Sequence, residues 1–358
     1  MRTRTDTTAP AIGGLAGKPA IQRAVAALYH DFAGILFIGD PHVSSTRPGR
    51  RIDDYEASVL AKLKYCAELC HDYNLLPVIL GDLLHRSDDN SLRMLNRLTT
   101  VLELFPVPPI TLEGNHDKAG AAIAEDDALY LLARNKDAVQ VVFEPGLIGT
   151  YSINGKPVRL FACPYGSPVP ASLPAGEGRA IMVTHHDLAF DGAYPGAKPI
   201  RPVQGADMVV NGHMHDNKPS VLADQTWWHN PGNIEPLSVD LMHHVPRAWL
   251  WDGEDCSELV GMGLPHGTDL FDLTGRRVEA GDTQAAVAAI ALPSVSSSDF
   301  AEWMAQEAAQ QTDASRTDDA SVLREDIDAV YDAGAISAPA RDLMDKLFSK
   351  VQTRLLQG

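Results

Sequence analysis

The sequence predicts an α/β protein in which two mixed sheets pack face to face with flanking helices, followed by a helical C-terminal extension. Three observations carry that prediction. Short apolar runs alternate with amphipathic helical segments between Gly34 and Leu112, and the stretch from Val158 to Trp251 is rich in strand patterns with little helix between them. Five polar clusters, Asp40-Pro41-His42, Gly81-Asp82, Gly114-Asn115-His116-Asp117, His185-His186 and Gly212-His213-Met214-His215, each follow an apolar run rich in Val, Ile and Leu. Residues able to bind metal are thus expected at the ends of successive strands.

Residues 1–30 mix Thr, Ala, Gly and Pro ahead of a short helix candidate, Ile21 to Tyr29, and are expected to be disordered or loosely packed. The run Gly34 to Gly39 is short, apolar and ended by Asp40-Pro41, the pattern of a buried strand leading into a loop. Asp54 to Asp72 places Val59, Leu60, Leu63, Ala67 and Leu69 at helical spacing. Leu75 to Leu80 reads as a strand, Leu92 to Phe105 as a helix and Val107 to Leu112 as a strand. This βαβαβ order implies a mainly parallel sheet, whose ligand sites lie beyond the carboxyl ends of its strands.

Val158 to Ala162, Ala180 to Val183 and Asp207 to Asn211 supply further strands, and Trp227 to His229 and Ala248 to Trp251 close the pattern. Residues 31–263 therefore form the main domain. After Gly263 the composition shifts to Gly, Asp, Ala and Ser, with helix candidates over 299–311, 321–333 and 338–356. The last carries Leu343, Leu347, Val351, Leu355 and Leu356 as a stripe that must bury against something, either its own domain or a partner. Residues 264–358 are thus expected to be an acidic, mainly helical region.

Composition narrows the function. At 358 residues the chain can build one large, well-buried domain. Its net charge of −17 argues against a broad basic surface that grips nucleic acid unaided, without excluding nucleic acid as substrate. Between Val295 and Lys346 twelve acids face four bases, so nearly half of that charge is segregated in the C-terminal region. Four scattered cysteines, Cys66, Cys70, Cys163 and Cys256, do not make a disulfide framework. Cys66 and Cys70 lack a second pair to complete a zinc set, so core packing is expected for them. No apolar stretch reaches the roughly 18 residues that span a bilayer, and Met1 to Ala20 lacks the apolar core of a secretory signal. A soluble, cytoplasmic protein with no membrane contact is expected.

The clusters have a common chemistry. Asp40 and His42 alternate along an extended segment, so their side chains point the same way. Asp82 offers the two-oxygen carboxylate best able to bridge neighbouring cations, and Gly39 and Gly81 remove side chains where backbone and metals approach. Asn115 supplies an amide oxygen, while His116 beside it is expected to stay off the metal and protonate a leaving alkoxide, oriented by Asp117. His185 or its neighbour His186, with His213 and His215, complete a set of two Asp, one Asn and four His. This mixed oxygen and nitrogen shell suits a pair of divalent ions, and two such ions make a phosphoester-cleaving site. Arg47, Arg50 and Arg51, in the loop Ser44 to Asp53, read as contacts for a polyanionic substrate or as a solvated loop. His71, His85, His229, His243, His244 and His266 read as surface or supporting residues.

In this order, Asp-x-His, Gly-Asp, Gly-Asn-His-Asp, a strand-end His and Gly-His-x-His resemble the motifs of the calcineurin-like metallophosphoesterases, from about Ile35 to Asn233. The resemblance implies a four-layer αββα sandwich and a two-metal site, usually manganese in nucleases and often iron or zinc in phosphatases. Carried over by motif, Asp40, His42, Asp82 and His215 would hold one ion, and Asp82, Asn115, His185 and His213 the other.

Asp82-Leu83-Leu84-His85-Arg86 followed by Ser91 and a helix, the Asn115-His116-Asp117-Lys118 loop, and Asn230-Pro231-Gly232-Asn233 through Ser238 resemble the SbcD-type nuclease subunits of recombination and repair complexes, including phage versions. That resemblance implies DNA as substrate, His85 as an auxiliary phosphate contact, homodimerisation, and a C-terminal helix that binds an SMC-like ATPase. The acidic 264–358 region does not look like the DNA-capping module such subunits carry. A small-molecule phosphodiesterase or phosphoprotein phosphatase is the alternative within the same family, and a non-catalytic scaffold the alternative outside it.

Overall fold

The computed structural model describes residues 30–88, 90–191 and 197–273. The helices expected over Ile21–Tyr29, 299–311, 321–333 and 338–356 lie outside these residues. The described chain up to Leu270, apart from Ser238–Asp240, forms one compact unit.

Buried strands organise this unit because their apolar residues face two ways. In β2 (Gly34–Ile38) all five residues are buried, and β3 (Leu75–Ile79) and β4 (Ile110–Leu112) are buried throughout. They pair in parallel, β2 with β3 and β3 with β4, and β5 (Gln140–Val142) continues the parallel run. On the other side β12 (Arg247–Trp251) and β13 (Val260–Gly263) add antiparallel strands, giving the six-stranded order β13-β12-β2-β3-β4-β5.

The second sheet has seven strands. Its centre is the parallel set β7 (Lys156–Cys163), β8 (Arg179–His185), β9 (Met208–Gly212) and β11 (Thr226–Asn230). Short β1 (Asp31–Phe32), β6 (Gly146–Ile153) and β10 (Lys218–Ala223) complete the order β1-β6-β7-β8-β9-β11-β10.

Strand alternation distributes the core. Ile35, Phe37, Leu76 and Val78 face Leu160, Ile181, Val183, Met208 and Val210 of the other sheet, making the inter-sheet layer. Leu36, Ile38, Leu75 and Ile79 point the opposite way, against α1 (Tyr55–Asp72) and α2 (Leu92–Leu102). Each fully buried Leu or Ile of this kind contributes about 1.5 to 3 kcal/mol. Asp54 caps α1 by accepting from the Ala57 N–H at 3.1 Å, and Ser91 caps α2 through Met94 at 3.2 Å. Cys66 and Cys70 lie in this layer as free, buried thiols, and burial pushes Cys66 up to about 12.

The two mixed sheets and the helices over the six-stranded one follow the predicted architecture. Over the outer face of the seven-stranded sheet the covering is different among the described residues: Phe161, Met182, Val209 and Trp228 are sealed by Leu188, Phe190 and Val203 from irregular segments. A short helix α3 (Ala128–Ala133) packs its Leu129 and Leu132 into the helical layer. No helix among the described residues is long and apolar enough to cross a membrane.

Candidate metal centre

The carboxyl ends of five strands meet at one edge of the two sheets. Neighbouring parallel strands β2, β3 and β4 lead into Asp40 and His42, Asp82, and Asn115, while β8 and β9 deliver His185 and His213, with His185 in register opposite Gly212. The loops after β2 and β3 keep pairing beyond the sheet, through His42 N–H to Asp82 O and Val43 N–H to Leu83 O, both at 2.9 Å. Asp40, His42, Asp82 and His213 all have positive φ, of 28°, 48°, 45° and 74°. Left-handed backbone at four non-glycine residues costs of order 1 kcal/mol or more each, and such strain gathers where a structure holds groups for function. Glycine makes the close approach: a Cβ on Gly114 would fall 2.0 Å from Asp82 Oδ1, and one on Gly81, at φ +111°, 2.4 Å from His185 Nδ1.

Hydrogen bonds fix which atom of each side chain faces inward. Asp82 Oδ1 accepts the His116 backbone N–H at 2.9 Å, leaving Oδ2 at 3.1 Å from His185 Nε2 and 3.6 Å from His42 Nε2. His185 Nδ1 donates to the Leu80 carbonyl at 2.8 Å, so Nε2 is the ring nitrogen that faces Asp82 Oδ2 and, at 3.2 Å, Asn115 Oδ1. His213 Nε2 is 2.8 Å from Asp187 Oδ1, which turns Nδ1 toward Asn115 Oδ1, also at 2.8 Å. On the other side of Asp82, His42 Nε2 and His215 Nε2 face each other at 2.9 Å.

These atoms sort into two donor groups joined by one carboxylate: His42, Asp82 and His215 form one, and Asp82, His185 and His213 the other. Asp40 lies alongside, its Oδ1 3.7 Å from His185 Nδ1. The residues fit a pair of cations on an independent count as well. Both oxygens of Asp40 are buried with no hydrogen-bond partner, and Asp82 Oδ2 has only the His185 and His42 ring nitrogens beside it. Carboxylate oxygens left so cost several kcal/mol unless a cation lies against them.

The charges are correspondingly displaced. Burial pushes Asp40 up to about 6. Burial alone would also raise Asp82, but the His185 and His116 charges hold it well below the usual carboxylate range. Burial keeps His42 well below and brings His215 down to about 3, so both are neutral, the form that ligates metal. Burial works against the charged form of His185 too, yet Asp82 and Asp40 raise it to about 9.

His186, the neighbour that the sequence left open, points elsewhere: its Nε2 is 2.7 Å from the Ser167 carbonyl. His116 stands edge-on to His42, with ring centres 4.8 Å apart. Its expected orienting partner differs from the sequence reading. Asp117 is buried and accepts the Leu84 and Gly114 backbone N–H groups at 3.0 and 2.9 Å, bracing the two loops. The His116 ring instead places Nδ1 2.9 Å from the His85 carbonyl. Burial and the nearby Asp82 charge push Asp117 up to about 7.

The His85 ring stacks on His116 at 5.5 Å. Among the three arginines, Arg47 is exposed and donates to Ile52 O at 3.1 Å, and Arg50 is exposed. Arg51 departs from the expectation of a substrate contact: it is buried and bound to Asp53 at 2.7 Å, Glu235 at 2.6 Å and Pro236 O at 2.6 Å.

Sequence reasoning missed Asp187, Tyr165 and Tyr55. Asp187 had a readable signal, since it lies two residues beyond His185. Tyr165 packs its ring 5.5 Å from His213, and the Tyr55 hydroxyl donates to the His42 carbonyl at 2.8 Å; neither has a local signature.

Two sheets that converge on a pair of donor groups sharing one aspartate define a dinuclear metallohydrolase. A family model for the calcineurin-like phosphoesterases matches residues 33–217, and the chain belongs to that family. It is a metal-dependent phosphoester hydrolase by that membership, with the His and Asp groups above as its candidate ligands. No curated protein matches the sequence significantly.

Proposed function

We propose that the protein is a phosphodiesterase acting on DNA, a nuclease of the SbcD type, with manganese as its working cation. The observation that carries this reading is the pair His85 and His116, stacked beside His42 at the edge of the metal centre. Two imidazoles there, one from the segment after β3 and one from that after β4, can bind a phosphodiester and protonate its departing oxygen. Iron or zinc would fill the same donors, since His, Asp and Asn suit all three metals.

Two bound divalent ions supply Lewis acidity and an activated water when present. The chain's own residues do the rest. Asp82, with Asp40, His42 and His215 on one side and Asn115, His185 and His213 on the other, would hold the pair. Asp187 fixes the His213 ring through Nε2, and the Leu80 carbonyl fixes His185 through Nδ1. The His85 carbonyl holds the His116 Nδ1–H, so Nε2 delivers a proton to the sugar oxygen as the phosphoester bond breaks.

One observation favours a second reading, hydrolysis of a small phosphodiester. Arg51 is engaged inside the protein, and the chain's charge of −17 supplies little attraction for a long polyanion. A partner, such as an SMC-like ATPase bound by the C-terminal region, would then provide the basic surface, and a second copy of the chain would pair with this one as in the resembling nucleases. Purified protein with Mn²⁺ is to be incubated with single-stranded DNA, duplex DNA, cyclic nucleotides and p-nitrophenyl phosphate, with and without such an ATPase. Cleavage of DNA supports the nuclease; turnover of the small esters alone rejects it.

A further inference from the structure

A third donor group lies beside the two that share Asp82. His42, His85 and His116 each offer a ring nitrogen within 4.8 Å of the other two. Their rings are mutual neighbours: His42 stands edge-on to both His85, at 5.5 Å, and His116, at 4.8 Å, while His85 and His116 lie nearly parallel, tilted by 16°. The group contains no carboxylate, unlike the other two.

That difference decides which cation it prefers. Sets rich in oxygen donors suit manganese and magnesium, whereas three imidazoles with an open fourth position suit zinc. Zinc–nitrogen bonds of about 2.1 Å bring tetrahedral donors to roughly 3.4 Å apart, so the rings need to close by little more than about 1 Å. His85 and His116 are both half-buried on segments beyond the strands, where such an adjustment is local.

We infer that His42, His85 and His116 form a further zinc site that shares His42 with the dinuclear pair, and that its occupation inhibits the enzyme. The inhibition, which rests on the proposed function, has two causes. Zinc there takes the His116 nitrogen that otherwise delivers the proton, and it draws His42 away from the donor group it shares with Asp82 and His215. The carboxylate-containing pair and the all-imidazole site therefore compete for His42, and rising zinc turns off the manganese-supported reaction.

The test separates this site from the pair. Asp82→Asn removes the carboxylate common to both other groups, and tag-free variant protein is titrated calorimetrically with ZnCl₂ and with MnCl₂. One equivalent of zinc and no manganese is expected, with Co²⁺ giving the strong visible band of tetrahedral coordination. Asp82→Asn/His85→Asn should take up no zinc. Absence of zinc binding in the folded single variant, or its persistence in the double variant, overturns the site.

If Asp82→Asn does not fold, zinc inhibition of manganese-supported hydrolysis answers the question in the otherwise intact chain. His85→Asn, measured against its own uninhibited rate, should need at least tenfold more zinc for half inhibition. Equal sensitivity overturns the inference. A protein that hydrolyses no phosphodiester yet binds zinc through His85 removes the proposed function and supports the site.

Discussion

Nε2 of His213 lies 2.8 Å from Oδ1 of Asp187, a carboxylate two residues beyond another candidate ligand, His185. Burial alone would raise Asp187, but its bond to His213 holds it below the usual carboxylate range, so it is an anion at neutral pH. A carboxylate on the far nitrogen of a ligating imidazole fixes the ring's tautomer and increases its basicity. Asp187→Asn should therefore weaken manganese affinity about 10- to 100-fold while the fold persists. Calorimetric titration of the metal-free protein reads this directly, and excess Mn²⁺ should restore activity. Unchanged affinity would show that the contact plays no part in holding the ion.

His116 should separate turnover from metal binding. Its ring is held by the His85 carbonyl rather than by the donors around Asp82, so His116→Asn should leave manganese stoichiometry unaltered. The loss of a positioned acid should slow kcat by about 10² to 10⁴-fold. A substrate whose leaving group needs no proton, such as a p-nitrophenyl ester, should lose much less. Equal losses on both esters would assign His116 to binding or positioning instead.

Most of the site was legible because a buried parallel strand writes its signature locally. Gly34–Ile38 and Leu75–Ile79 are unbroken apolar runs, and the polar residue ending each run is the one the sheet edge exposes to ligand. Strands without that contrast escaped notice. β6 is exposed or half-buried apart from Tyr151 and Ile153, and β10 mixes exposed with half-buried residues, so neither shows a clean apolar face, and α3 spans only six residues. Arg51 reads in sequence as a substrate contact or a solvated loop cation because Glu235, the residue that draws it inside, is 184 positions away. No local pattern reports such a pairing, and the same reason hid the His85 carbonyl behind His116.

Glu235 is the residue on which that buried network depends. One carboxylate oxygen accepts from Arg51 at 2.6 Å, and the other from Lys62 at 2.5 Å and Ser58 at 3.1 Å, with Glu235, Arg51 and Lys62 nearly inaccessible. Removing one member of a buried ionic cluster leaves the others charged and uncompensated, which typically costs about 3 to 5 kcal/mol. Glu235→Ala should lower the unfolding free energy by that amount in a urea titration. Because Arg51 also packs over Tyr55, whose hydroxyl holds the His42 carbonyl, metal affinity should fall as well. A loss below about 1 kcal/mol would mean that the two cations find other partners or reach water.

His229 gives the fold a pH dependence that can be measured away from the metal centre. It is buried, with Nε2 2.8 Å from the Cys256 carbonyl and Nδ1 2.8 Å from the Ser220 hydroxyl, an arrangement that suits a neutral ring donating at Nε2 and accepting at Nδ1. Burial lowers its pKa below the ordinary 6.5. The unfolded chain therefore takes up a proton that the folded chain refuses, so this contribution is fully present above pH 6.5 and is lost as pH falls toward the folded value. One proton accounts for at most about 1.4 kcal/mol per pH unit. His229→Gln retains a donor and an acceptor but cannot titrate. Urea unfolding of the metal-free proteins between pH 7.5 and 5 should thus give a shallower decline for the variant, by up to that slope. Parallel declines would show that His229 accepts its proton in the folded state.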